Sequence, residues 1–222
     1  MTSGDTPGKK EYHGDPEGRK KTMMHRNSSP ANKVHEYYLY HGHMSNSAAL
    51  SRMETARRQH ALAETLAKDA LAGLFAVDAS SLTIAHTDEG KPYCPQISVT
   101  FSISHSAGEV VVLVGPEQAH LGIDVQHVDA RLAYEELAGR FIDPGRAKWI
   151  LGPDTPVRFC YVWTRMEAMM KATGKTLLTL LATPEPEGLP LASFSYRTEE
   201  GLFVLSTYGC DVTPPFARPL FA

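Results

Sequence analysis

The stretch Tyr161–Leu177 reads YVWTRMEAMMKATGKTL. Projected as a helix at about 100° per residue, Phe159, Val162, Trp163, Met166 and Met170 collect on one apolar stripe. Glu167 falls about 40° from Trp163, inside that stripe or at its rim, where a core-facing helix normally carries leucine. Lys171 follows one turn later. Two readings compete. An i,i+4 Glu–Lys pair at the edge of a solvated face would contribute a few tenths of a kcal/mol. A carboxylate at the edge of the core instead needs a cation, a metal or a reacting group beside it, because burying it unpaired is costly. The rest of the chain decides between them.

The 222 residues, 42% of them apolar, are enough to bury a real core, as one domain or as two halves sharing an interface. No run of about 18 apolar residues occurs, so no membrane span is expected. The charged N-terminus has no apolar segment behind it, which argues against a secretory leader. Cys94, Cys160 and Cys210 are too few and too scattered for a disulfide framework, and no CxxC or CxxH spacing suggests zinc. These features point to a soluble, cytoplasmic protein. Formal net charge is −3, unevenly spread: residues 1–33 carry seven Lys or Arg against four acids, leaving −6 for the remainder. A net-acidic body argues against a nucleic-acid partner. Residues 1–33, rich in Gly, Pro, Ser and Lys, read as a disordered basic tail, with Met23–Met24 a candidate second start.

Order is expected from Val34, where HEYYLYHG has strand-like aromatic content. Ala48–Phe75 reads as one long helix or two joined ones, SLTIAHT as a strand and DEGKPYCPQ as a turn and loop. VTFSISHS, EVVVLVGP and LGIDVQHV read as strands. A helical pattern spans Arg131–Phe141, a break falls at Asp143–Pro144–Gly145, and a short helical turn precedes the Tyr161 helix, which Pro156 opens. After Gly174 the pattern turns strand-like, with a hairpin around Glu199–Glu200–Gly201 and an extended PPFARPLFA. The order is strand, helix, strand, strand, then strand, helix, helix, strand, strand. That predicts an α+β fold of two similar halves, 34–118 and 119–222, with the seam between Gly115 and Leu121.

Asp124 lies in the apolar strand LGIDV, where burial penalises a carboxylate. It either caps the following helix or ligates a hard cation such as magnesium. Gln126, two residues on, shares its face and could coordinate weakly or through a water. In FSISHS, Ser104 and His105 point to opposite faces, which suits proton transfer badly, and no GxSxG elbow occurs. A Ser–His hydrolase is therefore disfavoured. An anion site built from Ser104, His105, Ser106 and nearby amides fits better, with Gly90 and Lys91 adding a contact. His105 alone could equally be a satisfied, partly buried histidine.

The order of these elements is more specific than any one of them: GKP, then SISHS, then GID, then WxxxEAxxK. It resembles the Sfp-type 4'-phosphopantetheinyl transferases, whose members carry a GKP loop, an F-N-I-S-H-S strand, a G-I-D-x-E strand and a W-x-x-K-E-A-x-x-K helix followed by G-K-G-L. Here the same places read GKPY, FSISHS, GIDVQ and WTRMEAMMKATGKTL, and the likeness runs from about Arg57 to Leu178.

The resemblance implies a pseudo-dimeric α+β fold in one chain. It implies magnesium-dependent transfer of phosphopantetheine from coenzyme A to a serine of an acyl or peptidyl carrier protein by a monomer. On that likeness Asp124 and Glu167 would hold magnesium and Lys171 would contact the pyrophosphate. Glu167 would take the serine proton, Ser104 and His105 would meet coenzyme A phosphates, and Lys91 and Pro92 would lie on the adenine side. Arg57 or Arg58 would meet the 3'-phosphate. Two departures stand out. Met166 replaces a lysine, implying a lost phosphate contact that Arg165 or Lys175 would replace, and Gln126 replaces an acid. They leave a second reading open, a weakened relative that binds coenzyme A or a carrier protein without turnover. Carrier proteins being acidic, docking on this acidic body would need a local apolar or basic surface, or the basic tail.

Overall fold

The computed structural model describes residues 21–22, 34–44, 51–185 and 187–221. In chain order these form strands β1 (Lys21–Thr22) and β2 (Tyr38–His43), helix α1 (Arg52–Phe75), and the two-residue strands β3 (Ala85–His86) and β4 (Pro92–Tyr93). Strands β5 (Thr100–Ser106), β6 (Glu109–Gly115) and β7 (Gly122–His127) follow. Four helices come next: α2 (Tyr134–Phe141), α3 (Pro144–Ile150), α4 (Thr155–Thr173) and α5 (Leu177–Ala182). The hairpin β8 (Leu191–Thr198) and β9 (Gly201–Tyr208) and the short β10 (Arg218–Pro219) complete the fold.

Two antiparallel sheets organise it, in the orders β1-β2-β6-β5 and β10-β8-β9-β7. In the first, the opening strand β2 pairs with β6, which pairs with β5; in the second, the opening strand β7 pairs with β9, which pairs with β8. The same plan is therefore used twice, as the order of elements in the sequence suggested. Helix α1 covers the first sheet through Leu66, Ala67, Ala70 and Leu71, while α4, with α2, α3 and α5, covers the second. A third core lies between the sheets, where Leu39, Val111 and Leu113 meet Ile123, Val125, Phe194 and Phe203. Strand β6 is buried on both faces, Val110, Val112 and Val114 toward α1 and Val111 and Leu113 toward the other sheet. That explains its unbroken apolar run. At one end of the inter-sheet core the buried carboxylate of Glu109 meets the imidazoles of His41 and His43 and accepts from the Tyr196 hydroxyl, tying the halves together.

Strands β5 and β7 meet at the seam without a backbone ladder. The hydroxyls of Ser102, Ser104 and Ser106 accept instead from the N–H groups of Ile123, Val125 and His127, at 3.2, 3.2 and 3.0 Å. A spacing of two puts all three serines on one side of β5, and parallel advance along β7 keeps each in reach of alternate amides.

Several local expectations need correction. The first helix is single and starts at Arg52, with Ser51 capping the Glu54 amide; residues 48–50 of its expected start lie outside the described residues. SLTIAHT supplies only the two residues of β3, preceded by a turn of 3₁₀ helix at Ala79–Ser81 that Asp78 caps. The Asp143–Pro144–Gly145 break is a helix start: Asp143 accepts from the amides of Gly145 and Arg146, with Pro144 at the first position. After Gly174 comes helix α5, capped by Thr176, rather than a strand. The expected disordered tail lies outside the described residues, except that Lys21–Thr22 pair with β2.

Candidate active site

Helix α4 crosses β7 at a glycine. A Cβ on Gly122 would lie 1.9 Å from the carbonyl oxygen of Ala168, so only a residue without a side chain allows the two backbones to approach this closely. The crossing brings Asp124, two residues along β7, to Glu167 and Lys171 on α4.

Asp124 is 2% exposed. Its Oδ1 accepts from the Ser104 hydroxyl at 2.6 Å and from the Lys171 ammonium at 2.7 Å, and Lys171 also donates to the Ile123 carbonyl at 3.0 Å. The lysine thus reaches across to β7 and is more than a partner along its own helix. Glu167 sits half-buried at the rim of the α4 stripe. Burial, and then the negative charge of Asp124, push its carboxyl up to about 7, against the opposing pull of Lys171 and a hydrogen bond from Trp163. Two carboxylates from different elements thus face one another beside the Lys171 ammonium. Among the described residues no group of three or more His, Cys, Asp or Glu forms a metal cluster. Two carboxylates are nevertheless the usual protein share of a magnesium site that takes its other oxygens from phosphates and water.

Gln126 is half-buried, and its amide nitrogen donates to the His127 carbonyl at 3.3 Å. Met166 is fully buried and faces the core, its sulfur 3.0 Å from the Arg146 guanidinium, so this position does not point at the carboxylates. Arg165, one of the two cations expected to compensate, is engaged by Glu185 and lies over Tyr161. Lys175 is exposed just past the end of α4.

Ser104 faces β7 and is fully engaged there, whereas His105 points the opposite way. Burial, the Lys171 ammonium and His60 hold the His105 imidazole below its ordinary pKa. His105 lines a pocket of about 200 Å³ between α1, the β3–β4 hairpin and β5, with His60, Glu64, His86, Pro92 and Ile103. Pro92 and His105 thus line one pocket. Lys91 is half-buried beside this hairpin, and burial lowers its ammonium pKa. Arg57 and Arg58 are exposed and line a separate open groove near the start of α1, Arg58 lying 3.5 Å from Glu54. Sequence reasoning missed His60 and His86, and the bond from Ser104 to Asp124. The alternation Ser-x-Ser-x-Ser was the one signal for the latter.

The model of the 4'-phosphopantetheinyl transferase superfamily matches residues 120–201, the span that carries β7 and α4. Over 143 residues the chain is 27% identical to a 4'-phosphopantetheinyl transferase of Bacillus subtilis, covering 63% of this chain and 58% of that protein. Over 124 residues it is 31% identical to a 4'-phosphopantetheinyl transferase of Paxillus involutus, covering 44% of this chain and 46% of that protein. The matched stretches therefore span about half the length of these relatives. The motifs, the twice-used topology and these matches agree in what they resemble: over the span that carries β7 and α4 the chain is similar to the 4'-phosphopantetheinyl transferase superfamily.

Proposed function

We propose that this chain is an Sfp-type enzyme that moves 4'-phosphopantetheine from coenzyme A to a serine hydroxyl of an acyl or peptidyl carrier protein. The observation that carries the reading is the meeting of Asp124, Glu167 and Lys171 beside a pocket containing His105. In the reaction the serine oxygen bonds to the β-phosphorus, and the bond from that phosphorus to the bridging oxygen breaks. Adenosine 3',5'-bisphosphate leaves with the electron pair. Asp124 and Glu167 fit a magnesium ion, which when bound would neutralise the pyrophosphate and polarise it toward attack. Glu167, with its carboxyl titrating near neutrality, is suited to accept the serine proton. Lys171 offers a fixed positive charge to oxygens that gain charge in the transition state. Ser104 acts in this scheme by orienting Asp124, and His105 meets coenzyme A from the pocket side.

The halves 34–118 and 119–222 would together form one site, so a cytoplasmic monomer suffices. Among the described residues no helix is long and apolar enough to cross a membrane. The burial of Met166 weakens the case for a binder without turnover, because that case rested partly on a phosphate contact at this position. The test is intact-mass spectrometry of an apo carrier protein incubated with this protein, coenzyme A and magnesium. A mass gain of one phosphopantetheine that disappears in Asp124→Ala and Glu167→Ala supports the reading. No gain over several carrier proteins, with coenzyme A still bound, would favour the binder.

A further inference from the structure

The apolar bed on which α4 lies is interrupted by one polar row. Asp124, Ser206 and Ser193 stand opposite one another on β7, β9 and β8, which puts their side chains on the sheet face that α4 covers. Thr164 meets this row from the helix. Thr164 and Ser206 are fully buried, and Ser193 nearly so. The hydroxyls of Thr164 and Ser206 lie 2.7 Å apart, and those of Ser206 and Ser193 2.8 Å apart. At one end the Arg165 guanidinium, held by Glu185, reaches Ser193 at 3.4 Å. At the other, Thr164 lies 3.3 Å from the Tyr161 carbonyl. One direction satisfies every hydroxyl: Arg165 donates to Ser193, Ser193 to Ser206, Ser206 to Thr164, and Thr164 to the carbonyl. Replacing both partners of such a bond with apolar groups can be nearly neutral for stability, so packing alone does not call for this row.

The row closes a frame around the site. Ser206 is the direct strand partner of Asp124, and Thr164 precedes Glu167 by about one turn of α4. The bond from Thr164 to Ser206 therefore joins the turn that carries one carboxylate to the strand position beside the other. The remaining contacts hold the helix less closely. The approach of Gly122 to Ala168 limits how near α4 can lie, and Lys171 reaches Asp124 through a flexible four-carbon stem that would follow a shifted helix. A threonine hydroxyl sits directly on Cβ with a restricted χ1, so its hydrogen bond fixes the backbone that carries it. Resting on the transferase reading, we propose that Thr164 and Ser206 are positioning residues for the reaction. Their bond sets the slide and rotation of α4 on β9, and so the separation of Glu167 and Asp124. Neither residue touches the substrates. Loss of the bond leaves the coenzyme A pocket intact, so the deficit falls on metal affinity and turnover.

The experiment is calorimetric titration of coenzyme A into the metal-free protein and then of magnesium into that complex, with transfer to an apo carrier protein measured alongside. It compares wild type with Thr164→Val, which keeps the shape but not the hydroxyl, Thr164→Ser, which keeps the hydroxyl, Ser206→Ala, and Thr164→Val/Ser206→Ala. The expected result in Thr164→Val and Ser206→Ala is a magnesium Kd and a kcat each worse by roughly tenfold, the lower end for residues that orient metal ligands. Coenzyme A affinity should not change, and Thr164→Ser should restore both quantities nearly to wild type. The double variant should lose no more than either single variant, because the same bond is missing in all three. An unchanged magnesium Kd in the single variants, whatever happens to Tm, overturns the inference. Losses that multiply in the double variant, or a serine that fails to rescue, do the same. Should Thr164→Val fail to fold, Ser206→Ala decides on the same criterion. Each of these results leaves the transferase reading intact, since wild type still modifies the carrier. Failure of wild type to bind coenzyme A and to modify any carrier protein would defeat both.

Discussion

Replacing Glu167 with glutamine should raise the melting temperature of the metal-free protein at about pH 8 and leave it unchanged near pH 5. In the folded chain the Glu167 carboxyl keeps its proton up to about 7, against 4.5 for a free glutamate side chain. Between those values the native state holds a proton that the unfolded chain has released, so native stability falls as pH rises through this window and levels off above it. The contribution is fully present below the unfolded value and lost above the folded one. A shift of that size corresponds to about 3 kcal/mol at about 1.4 kcal/mol per unit. Because Glu167 is only half-buried, solvent screening reduces this to roughly 1–2 kcal/mol. Glutamine cannot ionise, and its amide presents an N–H toward Asp124 at every pH, as the protonated acid does. For a domain of this size the gain is about 2–4 °C per kcal/mol, so roughly 2–8 °C at the higher pH. The assay is thermal unfolding of both proteins with a chelator present, read as the difference in Tm across the pH series, which cancels every other titrating group. Magnesium should then raise Tm in wild type at the higher pH far more than in the variant, because only wild type offers both carboxylates. A Tm difference that does not change with pH, or a variant less stable than wild type at pH 8, would refute the reasoning.

Gly122→Ala should cost about 3 kcal/mol, measured as a loss of roughly 6–12 °C in Tm, because its Cβ would press on the Ala168 carbonyl and force α4 away from β7. Any folded fraction should show weakened magnesium-dependent stabilisation, since Glu167 moves with the helix; an unchanged Tm would show that the crossing tolerates a methyl group. Met166→Lys, which restores the residue of the resembled motif, should lower Tm and leave carrier-protein modification no faster, because it sets an ammonium beside the buried Arg146 guanidinium. A faster transfer rate in that variant would mean that position 166 reaches the phosphates after all.

Legibility from sequence followed the range of the interactions. Helix α4 was readable because its apolar stripe, its opening proline and its closing Gly174 are all local, and Gly174 does sit in the left-handed conformation that ends the helix. Strand β6 was readable because burial on both faces leaves a continuous apolar run. Helix α5 was not, since LLTLLA is too short for a helical period to stand out from a buried strand. The pair Asp124 and Glu167 could be named from residue type alone, because a carboxylate inside an apolar pattern needs a reason. Where Lys171 and Ser104 point could not, because each answers to a group some twenty to fifty positions away.

The same limit applies along α1, because a helix presents a new face every hundred degrees, and only packing against the β3–β4 hairpin selects which face meets the pocket. That packing puts His60 and Glu64 at the wall and leaves Arg58 beside Glu54. The seam adds a second constraint of this kind. Since β5 and β7 are joined by serine hydroxyls, Ser104 can accept from the Val125 amide while donating to the Asp124 carboxylate beside it. One hydroxyl therefore fixes both the alignment of the halves and the orientation of the acid proposed to hold the metal. A sliding of β5 against β7 by one residue would replace Ser104 with a residue that faces α1. The site then depends on the register of two strands from different halves, which is why its residues come from SHS on one side and from GID and EAMMK on the other.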